Sequence, residues 1–437
     1  MVYIRPVSFI NWSNIDLYGD YLRIEDFKYV ITEWLQQGIP EVKSREITLP
    51  LDSNLIIAIT GGRRTGKTYL LFSTIRKIIE SGKSNLDEIL YVDFEHVKLK
   101  GVNVSDLDDM ILAFYELTGK KPKYIFLDEI QTVKNYGGWF RKRLNARIYI
   151  SGSSSSLTPR KIAEELRGRC INYEIYPLSF REYLSFLGYD PKPEILLYSE
   201  ERGKILAILR EYLYNGAYPA VALESDKKRI IKAYFESILV RDLGGTPLAE
   251  AFSLYLISNY AQLITINKVY NYLRSLGFSI GKEKIIELFN KARETYFAFT
   301  TEIFQKSERK RKINPKKLYI IDVGYPTSLG YEFSISRAME NTVYLELLRR
   351  GNREIYYWKE YGKSSGAEVD FVISRNFEVE ELIQVTYAED TLKERELKSL
   401  KKAQRELKPK KATIITWNYK GKIDDIEVTP LWYWLLT

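Results

Sequence analysis

Eight consecutive residues at positions 61–68 could form a phosphate-binding loop. They read Gly-Gly-Arg-Arg-Thr-Gly-Lys-Thr, which matches the P-loop pattern of two glycines five positions apart, then lysine and a hydroxyl residue. Glycines let the backbone curl so that successive N–H groups point at one phosphate. The lysine would reach the β- and γ-phosphates of a nucleotide, and the threonine hydroxyl would hold Mg²⁺. The residues expected to contact the nucleotide are Gly61, Gly62, Arg63, Arg64, Thr65, Gly66, Lys67, Thr68 and Tyr69.

The segments on either side of this loop are those that a P-loop requires. The run Leu55 to Ile59 is short, β-branched and uncharged, and therefore predicts a buried parallel strand. Tyr69 to Glu80 has helical spacing, so the positive N-terminal end of that helix would face the same phosphate. A glycine turn that arose by chance is the disfavoured alternative. The sequence predicts a nucleoside triphosphate site, with Lys67 among its catalytic residues.

A second chemical group stands at the end of another apolar strand. The stretch Lys123 to Gln131 contains a buried strand that ends in Asp128 and Glu129, as in a Walker B element. Asp128 is expected to hold Mg²⁺, and Glu129 to orient and deprotonate the attacking water. An ordinary surface acid pair is the alternative, which the P-loop upstream disfavours. The sequence contains no Asn-Lys-x-Asp guanine-reading motif, which favours ATP over GTP.

The next candidate residues follow the strand Arg147 to Ser151. A polar side chain at its tip could sense the γ-phosphate or the attacking water, and Ser153 is the first choice, with Ser154 second. An ordinary serine-rich turn is an equal alternative. Arg167 and Arg169 come after the following helix and could supply an arginine finger, in cis or from a neighbouring subunit. Two solvated arginines are an equal alternative.

The composition limits what the chain can be. Its 437 residues are 45% hydrophobic and 28% charged, which is typical of a globular chain of roughly two to four domains. A single cysteine, Cys170, and a single histidine, His96, exclude a disulfide framework and a Cys/His zinc site. No apolar run approaches the roughly 18 residues needed to cross a bilayer, and the N-terminus has no signal-peptide core. We therefore expect a cytoplasmic protein without a membrane partner, whose net charge of +9 only weakly indicates an anionic partner.

Five short motifs occur in the order in which a known family has them. They are Thr60-Gly-Gly-Arg-Arg-Thr-Gly-Lys-Thr, Leu127-Asp-Glu-Ile-Gln, Ile150-Ser-Gly-Ser-Ser, Leu166-Arg-Gly-Arg and Leu178-Ser-Phe-Arg-Glu-Tyr. On these motifs the chain resembles the prokaryotic, chiefly archaeal, AAA+-like ATPases of the ASCE P-loop division. Those proteins join an ATPase core to a winged helix and a C-terminal domain of uncharacterised function related to restriction endonucleases. The resemblance covers nearly the whole chain, and it implies a five-stranded parallel sheet and Glu129 as the catalytic carboxylate.

The expected fold class is α/β. It comprises a three-layer αβα P-loop NTPase core of the ASCE/AAA+-like type, then a helical lid and winged helix, and a small α/β nuclease-like domain. The predicted bounds are 1–50 for an N-terminal lead-in, 51–175 for the ATPase core, 176–255 for the lid, 256–328 for the winged helix and 329–437 for the last domain. In the lid, Arg241 could touch phosphate, but a structural pair with Asp242 is favoured.

The segment from 256 to 322 is predicted to be three helices followed by a strand pair. This is the order of a winged helix, whose last helix enters the major groove of DNA. The strands Tyr296 to Ile303 and Lys317 to Ile321 flank a strongly basic tip, which suits phosphate contact. A solvated hairpin or a protein-contact module are the alternatives, since the last helix is only moderately basic. The candidate DNA contacts are Lys282, Lys284, Lys306, Arg309, Lys310, Arg311 and Lys312.

The C-terminal region carries a third set of acids. Glu340 is predicted to begin a helix and Asp370 to lie in a strand, in the layout of the PD-(D/E)xK nucleases. In those enzymes clustered carboxylates hold Mg²⁺, and a lysine on the neighbouring strand assists the attacking water. Here Gln384 and Thr386 stand where that strand should carry glutamate and lysine. A nuclease-like fold with a degenerate site is therefore favoured over an active nuclease.

These features predict an ATPase that binds ATP and Mg²⁺ and whose nucleotide state controls its grip on double-stranded DNA. One alternative is a STAND-like signalling switch, which would bind ATP, turn over slowly and act through a protein partner or homo-oligomer. The other is an ATP-dependent nuclease, in which the C-terminal domain would cut.

Overall fold

The computed structural model describes residues 17–141, 145–153, 159–166, 168–193, 200–360, 366–392 and 394–437. The helices are α1 (Leu17–Gln37), α2 (Lys67–Glu80), α3 (Leu107–Thr118), α4 (Pro159–Leu166), α5 (Phe180–Phe186), α6 (Glu201–Asn215), α7 (Pro219–Leu223), α8 (Lys227–Ile238), α9 (Pro247–Ser258), α10 (Ile266–Ser275), α11 (Lys282–Glu294), α12 (Glu308–Ile313), α13 (Gly324–Ser328), α14 (Ile335–Arg349), α15 (Glu394–Leu407) and α16 (Leu431–Leu436). A π-helical turn, Leu239–Leu243, continues α8. None of the helices in these ranges is long and apolar enough to span a membrane.

The strands belong to two sheets. They are β1 (Ile56–Gly61), β2 (Ile89–Asp93), β3 (Tyr124–Asp128), β4 (Arg147–Ser151), β5 (Cys170–Ile175), β6 (Leu263–Ile264), β7 (Ala298–Ile303), β8 (Lys316–Ile320), β9 (Ile355–Lys359), β10 (Glu368–Arg375), β11 (Glu378–Val385), β12 (Lys411–Thr416), β13 (Gly421–Ile423) and β14 (Ile426–Pro430). The first five form one sheet and the other nine form the second.

The first sheet is parallel, with the order β2-β3-β4-β1-β5. Successive side chains of a strand point to opposite faces, so β1 contributes to two separate cores. Ile56 and Ala58 pack with the residues of α1 and α3, whereas Ile57 and Ile59 pack with those of α2. The result is the three-layer αβα core that the sequence predicts. Because β1 lies between β4 and β5, the loop that follows it opens at the middle of the sheet edge.

The second sheet runs across the boundary predicted between residues 328 and 329. Its strand order is β13-β14-β12-β11-β10-β9-β7-β8-β6. The link is the parallel pairing of β7 with β9, in which Glu302 is opposite Tyr356. The division at 328/329 stays a prediction, but the strand pair predicted as a wing and the C-terminal strands share one hydrogen-bonded sheet.

The segment predicted as a winged helix differs from the expected three helices and open strand pair. The helix expected from residue 256 is α9, which begins at Pro247 and ends at Ser258, so two helices, α10 and α11, precede β7 and β8 within the segment. These two strands pair antiparallel. Between these strands stands the short helix α12, capped by Ser307, instead of an open basic hairpin.

This segment packs directly on the nucleotide-binding core. The hydroxyl of Tyr296 lies 3.1 Å from Thr60 Oγ1 of β1 and 2.9 Å from Glu174 Oε1 of β5. A Cβ atom on Gly62 would lie 2.6 Å from the Cδ1 atom of Ile321, just after β8. The loop after β1 is therefore in van der Waals contact with the end of β8, and a larger residue at position 62 would displace it.

The structure bears on two expectations for the C-terminal region, the start of one helix and the burial of the last one. Glu340 was expected to begin a helix, but α14 begins five residues earlier, at Ile335, so Glu340 lies inside it. The expectation was wrong because it overlooked Ser334, the N-cap residue of α14, whose type is one that marks a helix start. The last helix, α16, buries Leu431 and Trp432 completely and belongs to the core.

Candidate functional site

The loop between β1 and α2 has the shape of a phosphate cradle. Gly66 has φ 97°, in the left-handed region that disfavours side chains, and it is the residue before α2. No side chain caps the first turn of α2 at this position. The helix N-terminus, with its partial positive charge, is therefore left facing the cleft.

The side chain of Lys67 folds back onto the backbone of this loop. Its side chain is buried, and Nζ donates to the carbonyl oxygens of Gly61 at 3.3 Å and Gly62 at 3.0 Å. Burial lowers the pKa of Lys67, although the charges of Glu129 and Asp128 oppose this shift. Two backbone carbonyls therefore hold the ammonium at the place where phosphate oxygens would replace them as acceptors.

Thr68 and Asp128 meet at the floor of the cleft. Thr68 Oγ1 donates to Asp128 Oδ2 at 2.6 Å, and the hydroxyl of Tyr91 donates to the same oxygen at 3.2 Å. Ser151, at the end of β4, donates to the other carboxylate oxygen. A hydroxyl beside a carboxylate is the hard oxygen donor set that Mg²⁺ prefers, so these residues fit the predicted metal pair. Burial and the charge of Glu129 raise the pKa of Asp128.

Glu129 follows Asp128 in a strained backbone conformation. Its φ of 52° lies in the left-handed region, which is uncommon for a non-glycine residue and is found at functional sites. The carboxylate accepts hydrogen bonds from the amide of Gln131 and from the backbone N–H of Ser153, the latter at 2.8 Å. Burial raises the pKa of Glu129, but the charge of Lys67 and these hydrogen bonds outweigh it and leave the pKa below its ordinary value. Glu129 is therefore an ionised and oriented carboxylate.

The predicted sensor serine lies beside Glu129. Ser153 is buried, and its hydroxyl accepts a hydrogen bond from Gln131 Nε2 at 3.3 Å. Sequence reasoning assigned no role to Gln131, although it is part of the Leu127-Asp-Glu-Ile-Gln motif. Its Oε1 atom is buried without a hydrogen-bond partner. The second-choice serine, Ser154, lies outside the described residues.

The two arginines of the loop face the lid. Arg63 Nε donates to both carboxylate oxygens of Asp242, at 2.9 and 2.8 Å. Arg64 lies over the ring of Tyr234, 4.7 Å from its centre. Arg241, which the sequence favoured as the partner of Asp242, is instead 59% exposed and lies 3.7 Å from Glu95. That expectation was wrong because the π-helical turn directs the two neighbouring side chains apart.

Side chains of the phosphate loop, together with Glu129, line one cleft of about 870 Å³ between the core and the segment predicted as a lid. Its wall includes Lys67, Thr68 and Glu129 on the core side and Tyr234 and Arg241 on the lid side. Tyr69 also lines it and is 56% exposed. Thr65 lies under the loop, where its hydroxyl donates to Gly62 at 2.9 Å.

Arg45 is a cleft residue that sequence reasoning missed. Its guanidinium donates to the Thr65 carbonyl at 2.8 Å, to Glu182 Oε1 at 2.7 Å and to the Tyr176 carbonyl at 2.9 Å. The bond to Thr65 supports the loop from outside. A lone arginine in an irregular segment carries no sequence signal, because its partners are up to 137 positions away along the chain.

The Arg63–Asp242 pair makes a testable link between loop and lid. Asp242 is 1% exposed, so removing one partner should leave the other poorly satisfied. A double-mutant cycle with Arg63→Ala and Asp242→Ala, followed by thermal unfolding, should give a coupling free energy of about 2 kcal/mol. The matched cycle with Arg241→Ala and Asp242→Ala should be additive to within about 0.5 kcal/mol. Equal coupling in the two cycles would contradict the geometry described here.

The predicted arginine finger has no support in the described residues. Arg167 lies outside them. Arg169 is exposed, and its carbonyl accepts from the Ile56 N–H at 2.9 Å at the start of β1. The finger stays a prediction.

The candidate DNA contacts fall into two groups. Arg311, Lys312 and the neighbouring Lys316 all lie within 3.4 Å of Glu302, an acid on β7, so much of their charge is compensated. Lys306 and Arg309 are exposed, the first just before α12 and the second in its first turn. On α11, Lys284 pairs with Glu287 at 2.8 Å, and Lys282 lies over the Tyr270 ring at 5.8 Å. Lys310 lies on α12 and is exposed.

The C-terminal acids form a buried cluster around a lysine. The Nζ atom of Lys317, on β8, lies 2.6 Å from Asp370, 3.0 Å from Glu340 and 3.2 Å from Glu368. Burial lowers the pKa of Lys317, but the three carboxylates outweigh it and raise the pKa well above its ordinary value. Gln384 donates to Glu396 at 2.7 Å. Lys317, expected at the start of the strand that follows the basic tip, thus has its side chain in this acid cluster.

Comparisons with known proteins agree with the core. The model of an AAA domain (AAA_14) matches residues 53–184, and the model of a Domain of unknown function (DUF4143) matches residues 336–434. The uncharacterized protein MJ1544 of Methanocaldococcus jannaschii is 35% identical over 424 residues, with 91% of this chain and 92% of that protein covered. An uncharacterized protein of Haemophilus influenzae is 28% identical over 410 residues, covering 88% and 95% of the two chains.

Among solved structures, the chain is similar to the Walker-type ATPase PABY2304 of Pyrococcus abyssi, with 11% identity and a TM-score of 0.38 over 70% of this chain and 94% of that one. It is also similar to the ORC1 protein of Aeropyrum pernix in complex with DNA, with 12% identity and a TM-score of 0.30 over 76% and 93% of the two chains. Likenesses at these scores carry no argument about function. The identity with MJ1544 over nearly both full lengths shows a shared family, and the AAA match covers the P-loop core. The chain belongs to the same family as MJ1544, a family of P-loop ATPases.

Proposed function

We propose that the protein binds ATP on the loop after β1 and hydrolyses it with Glu129 as the general base. The observation that carries this proposal is the convergence of Lys67, Thr68 and Glu129 on one cleft, with Asp128 hydrogen-bonded to Thr68. The AAA match over residues 53–184 supports the same reaction class.

Thr68 and Asp128 would hold Mg²⁺. The ion, when bound, supplies positive charge that neutralises the phosphate oxygens during transfer. The remaining chemistry comes from the chain itself. Lys67 would exchange the carbonyls of Gly61 and Gly62 for phosphate oxygens, an exchange that favours the lysine because a charged acceptor makes the stronger hydrogen bond.

Glu129 would hold the attacking water and accept its proton. A carboxylate can do this only when it is ionised, which the pKa below its ordinary value supports. Gln131 and the Ser153 N–H would fix the orientation of the carboxylate. Ser153 lies just after β4, and its N–H binds the Glu129 carboxylate. A movement of this strand end in response to the γ-phosphate would therefore move that carboxylate. We infer that Ser153 acts here through its backbone N–H as well as its hydroxyl.

We further propose that nucleotide binding alters the contact between the chain and DNA. The supporting observations are the bond of Tyr296 to Thr60 and the packing of Ile321 against Gly62. Movement of the loop on ATP binding would press on the end of β8. The same strand leads back to α12 and its exposed bases, so a route of direct contacts joins the nucleotide to the basic tip.

The basic tip gives the DNA proposal a quantitative test. Lys306→Ala together with Arg309→Ala should weaken binding to double-stranded DNA of any sequence and reduce the salt dependence of binding. Each lost phosphate contact lowers the slope of log K against log salt by roughly 0.9, so a reduction of about 2 is expected. Fluorescence anisotropy of a labelled duplex, with an ATP analogue or ADP, measures both slope and nucleotide dependence.

The matched control is Lys312→Ala with Lys316→Ala, since Glu302 already compensates these two charges. It should change the slope by less than half as much. Identical slopes for wild type and the Lys306/Arg309 variant would contradict DNA binding at the tip. Nucleotide-dependent oligomerisation without any DNA binding would favour the signalling switch.

A further inference from the structure

The buried acid cluster of the C-terminal region contains its own cation. Lys317 is 3% exposed, and its ammonium lies within 3.2 Å of an oxygen of each of three carboxylates, those of Glu340, Glu368 and Asp370. Glu340 comes from α14 and the other two from β10, whereas Lys317 comes from β8. Three elements that are far apart in the sequence therefore meet at one ammonium group.

Each of the three carboxylates also has a second partner. The second oxygen of Asp370 accepts from the Val385 N–H at 2.8 Å. Tyr319 donates at 2.9 Å to Glu340 Oε1, the oxygen that Lys317 also contacts, and Lys359 lies 3.2 Å from Glu368 Oε2.

These residues do not fit a metal ion. The nuclease resemblance places a divalent cation between Glu340 and Asp370, and Mg²⁺ requires about six oxygens at about 2.0–2.1 Å. Here the position between the two carboxylates is filled by a covalently attached ammonium, which cannot exchange. Among the described residues, no three His, Cys, Asp or Glu side chains are arranged to hold a metal.

We propose that Lys317 is the resident cation of this cluster and takes the place that the nuclease layout gives to a divalent metal. The cluster therefore binds no divalent metal and cleaves no phosphodiester. Its role is to fasten β8 to α14 and β10. A phosphate of DNA could not reach the ammonium either, because Lys317 and Asp370 are both buried.

This assignment explains how three carboxylates can persist in a buried site. Unpaired buried charges are strongly unfavourable, and Lys317 and Lys359 together compensate two negative charges of the cluster. Burial and the neighbouring charge of Asp370 raise the pKa of Glu340 to about 8, which reduces its charge. It also gives β8 a fixed anchor at Lys317, while the chain just beyond its other end, at Ile321, contacts the phosphate loop.

The first test measures metal binding directly. Nucleotide-free wild type and Asp370→Asn are titrated with Mn²⁺, and the bound ion is counted by electron paramagnetic resonance. The two binding curves should coincide, because the cluster contributes no metal site. Fewer bound Mn²⁺ ions in Asp370→Asn, or Mn²⁺-dependent nicking of plasmid DNA that this variant loses, would overturn the proposal.

The second test measures what the ammonium does. Lys317→Met keeps the apolar stem but removes the charge, and should lower the melting temperature of the full chain by roughly 10 °C. Adding Asp370→Asn to this variant should restore at least half of the loss, since one of the unpaired carboxylates is neutralised. Lys316→Met, next to it on the exposed side, is the control and should change little. Equal melting temperatures for Lys317→Met and Lys316→Met, or no rescue by Asp370→Asn, would refute the role of Lys317.

Discussion

ATP binding by Lys67→Ala is expected to be weaker than wild-type binding by roughly 100-fold. The estimate follows from the loss of charged hydrogen bonds to phosphate, which are worth about 1.5–3 kcal/mol. The lysine is buried in the cleft, and its ammonium donates to the carbonyls of Gly61 and Gly62. The alanine variant therefore leaves this position of the loop without a charge. Equilibrium binding of a fluorescent ATP analogue measures the difference.

Lys77→Ala is the matched control, because Lys77 lies in the last turn of the same helix, away from the loop. It should bind ATP as the wild type does. Wild-type affinity in Lys67→Ala would mean that the nucleotide is bound elsewhere on the chain.

ATP hydrolysis by Glu129→Gln is expected to fall by about 10²- to 10⁴-fold, the usual contribution of a general base. Glutamine retains the size of the side chain and can still meet Gln131, but it cannot accept a proton from water. ATP binding should be retained, because Glu129 lines the cleft without being part of the phosphate loop. Single-turnover release of phosphate, compared with equilibrium binding of the analogue, separates the two effects.

Glu95→Gln serves as the control for this variant. Glu95 lines the same cleft, is 42% exposed, and only meets Arg63 and Arg241 at 3.7 Å. Its rate should stay within about two-fold of wild type, since exposed pairs contribute little. A similar loss of rate in both variants would indicate a general electrostatic effect, and a wild-type rate in Glu129→Gln would assign the base elsewhere.

The ATPase core could be predicted because its signals are local. The runs that became β1 and β3 are short, apolar and followed at once by the chemical residues, so strand, loop and helix N-terminus are read from about 15 consecutive positions. β5 was not predicted. The strand lies at the edge of the sheet, most of its residues are only partly buried, and its pairing with β1 is formed across more than 100 residues.

The candidate site was predicted only as far as its contiguous motifs extend. Lys67, Thr68, Asp128 and Glu129 follow from type and spacing. Arg45 lines the same cleft, and Tyr91 and Asp242 bind Asp128 and Arg63 of the site from other parts of the chain. Their roles depend on tertiary packing that no local pattern encodes.

Lys317 shows the same limit in the C-terminal region. A lysine among many basic residues reads as part of a charged surface, and only its tertiary contacts with Glu340, Glu368 and Asp370 show that its side chain is buried. The sequence showed that Gln384 and Thr386 replace the expected glutamate and lysine. It did not show that a lysine enters the acid cluster from a strand 53 residues before Asp370.

The most direct test of the account is the rate of ATP turnover by the wild-type chain with Mg²⁺, with and without double-stranded DNA, beside the same measurement on Glu129→Gln. The account predicts turnover in the wild type that DNA changes, and almost none in Glu129→Gln under either condition. Turnover that DNA leaves unchanged would contradict the coupling to DNA, and turnover that survives in Glu129→Gln would contradict the assignment of the catalytic base.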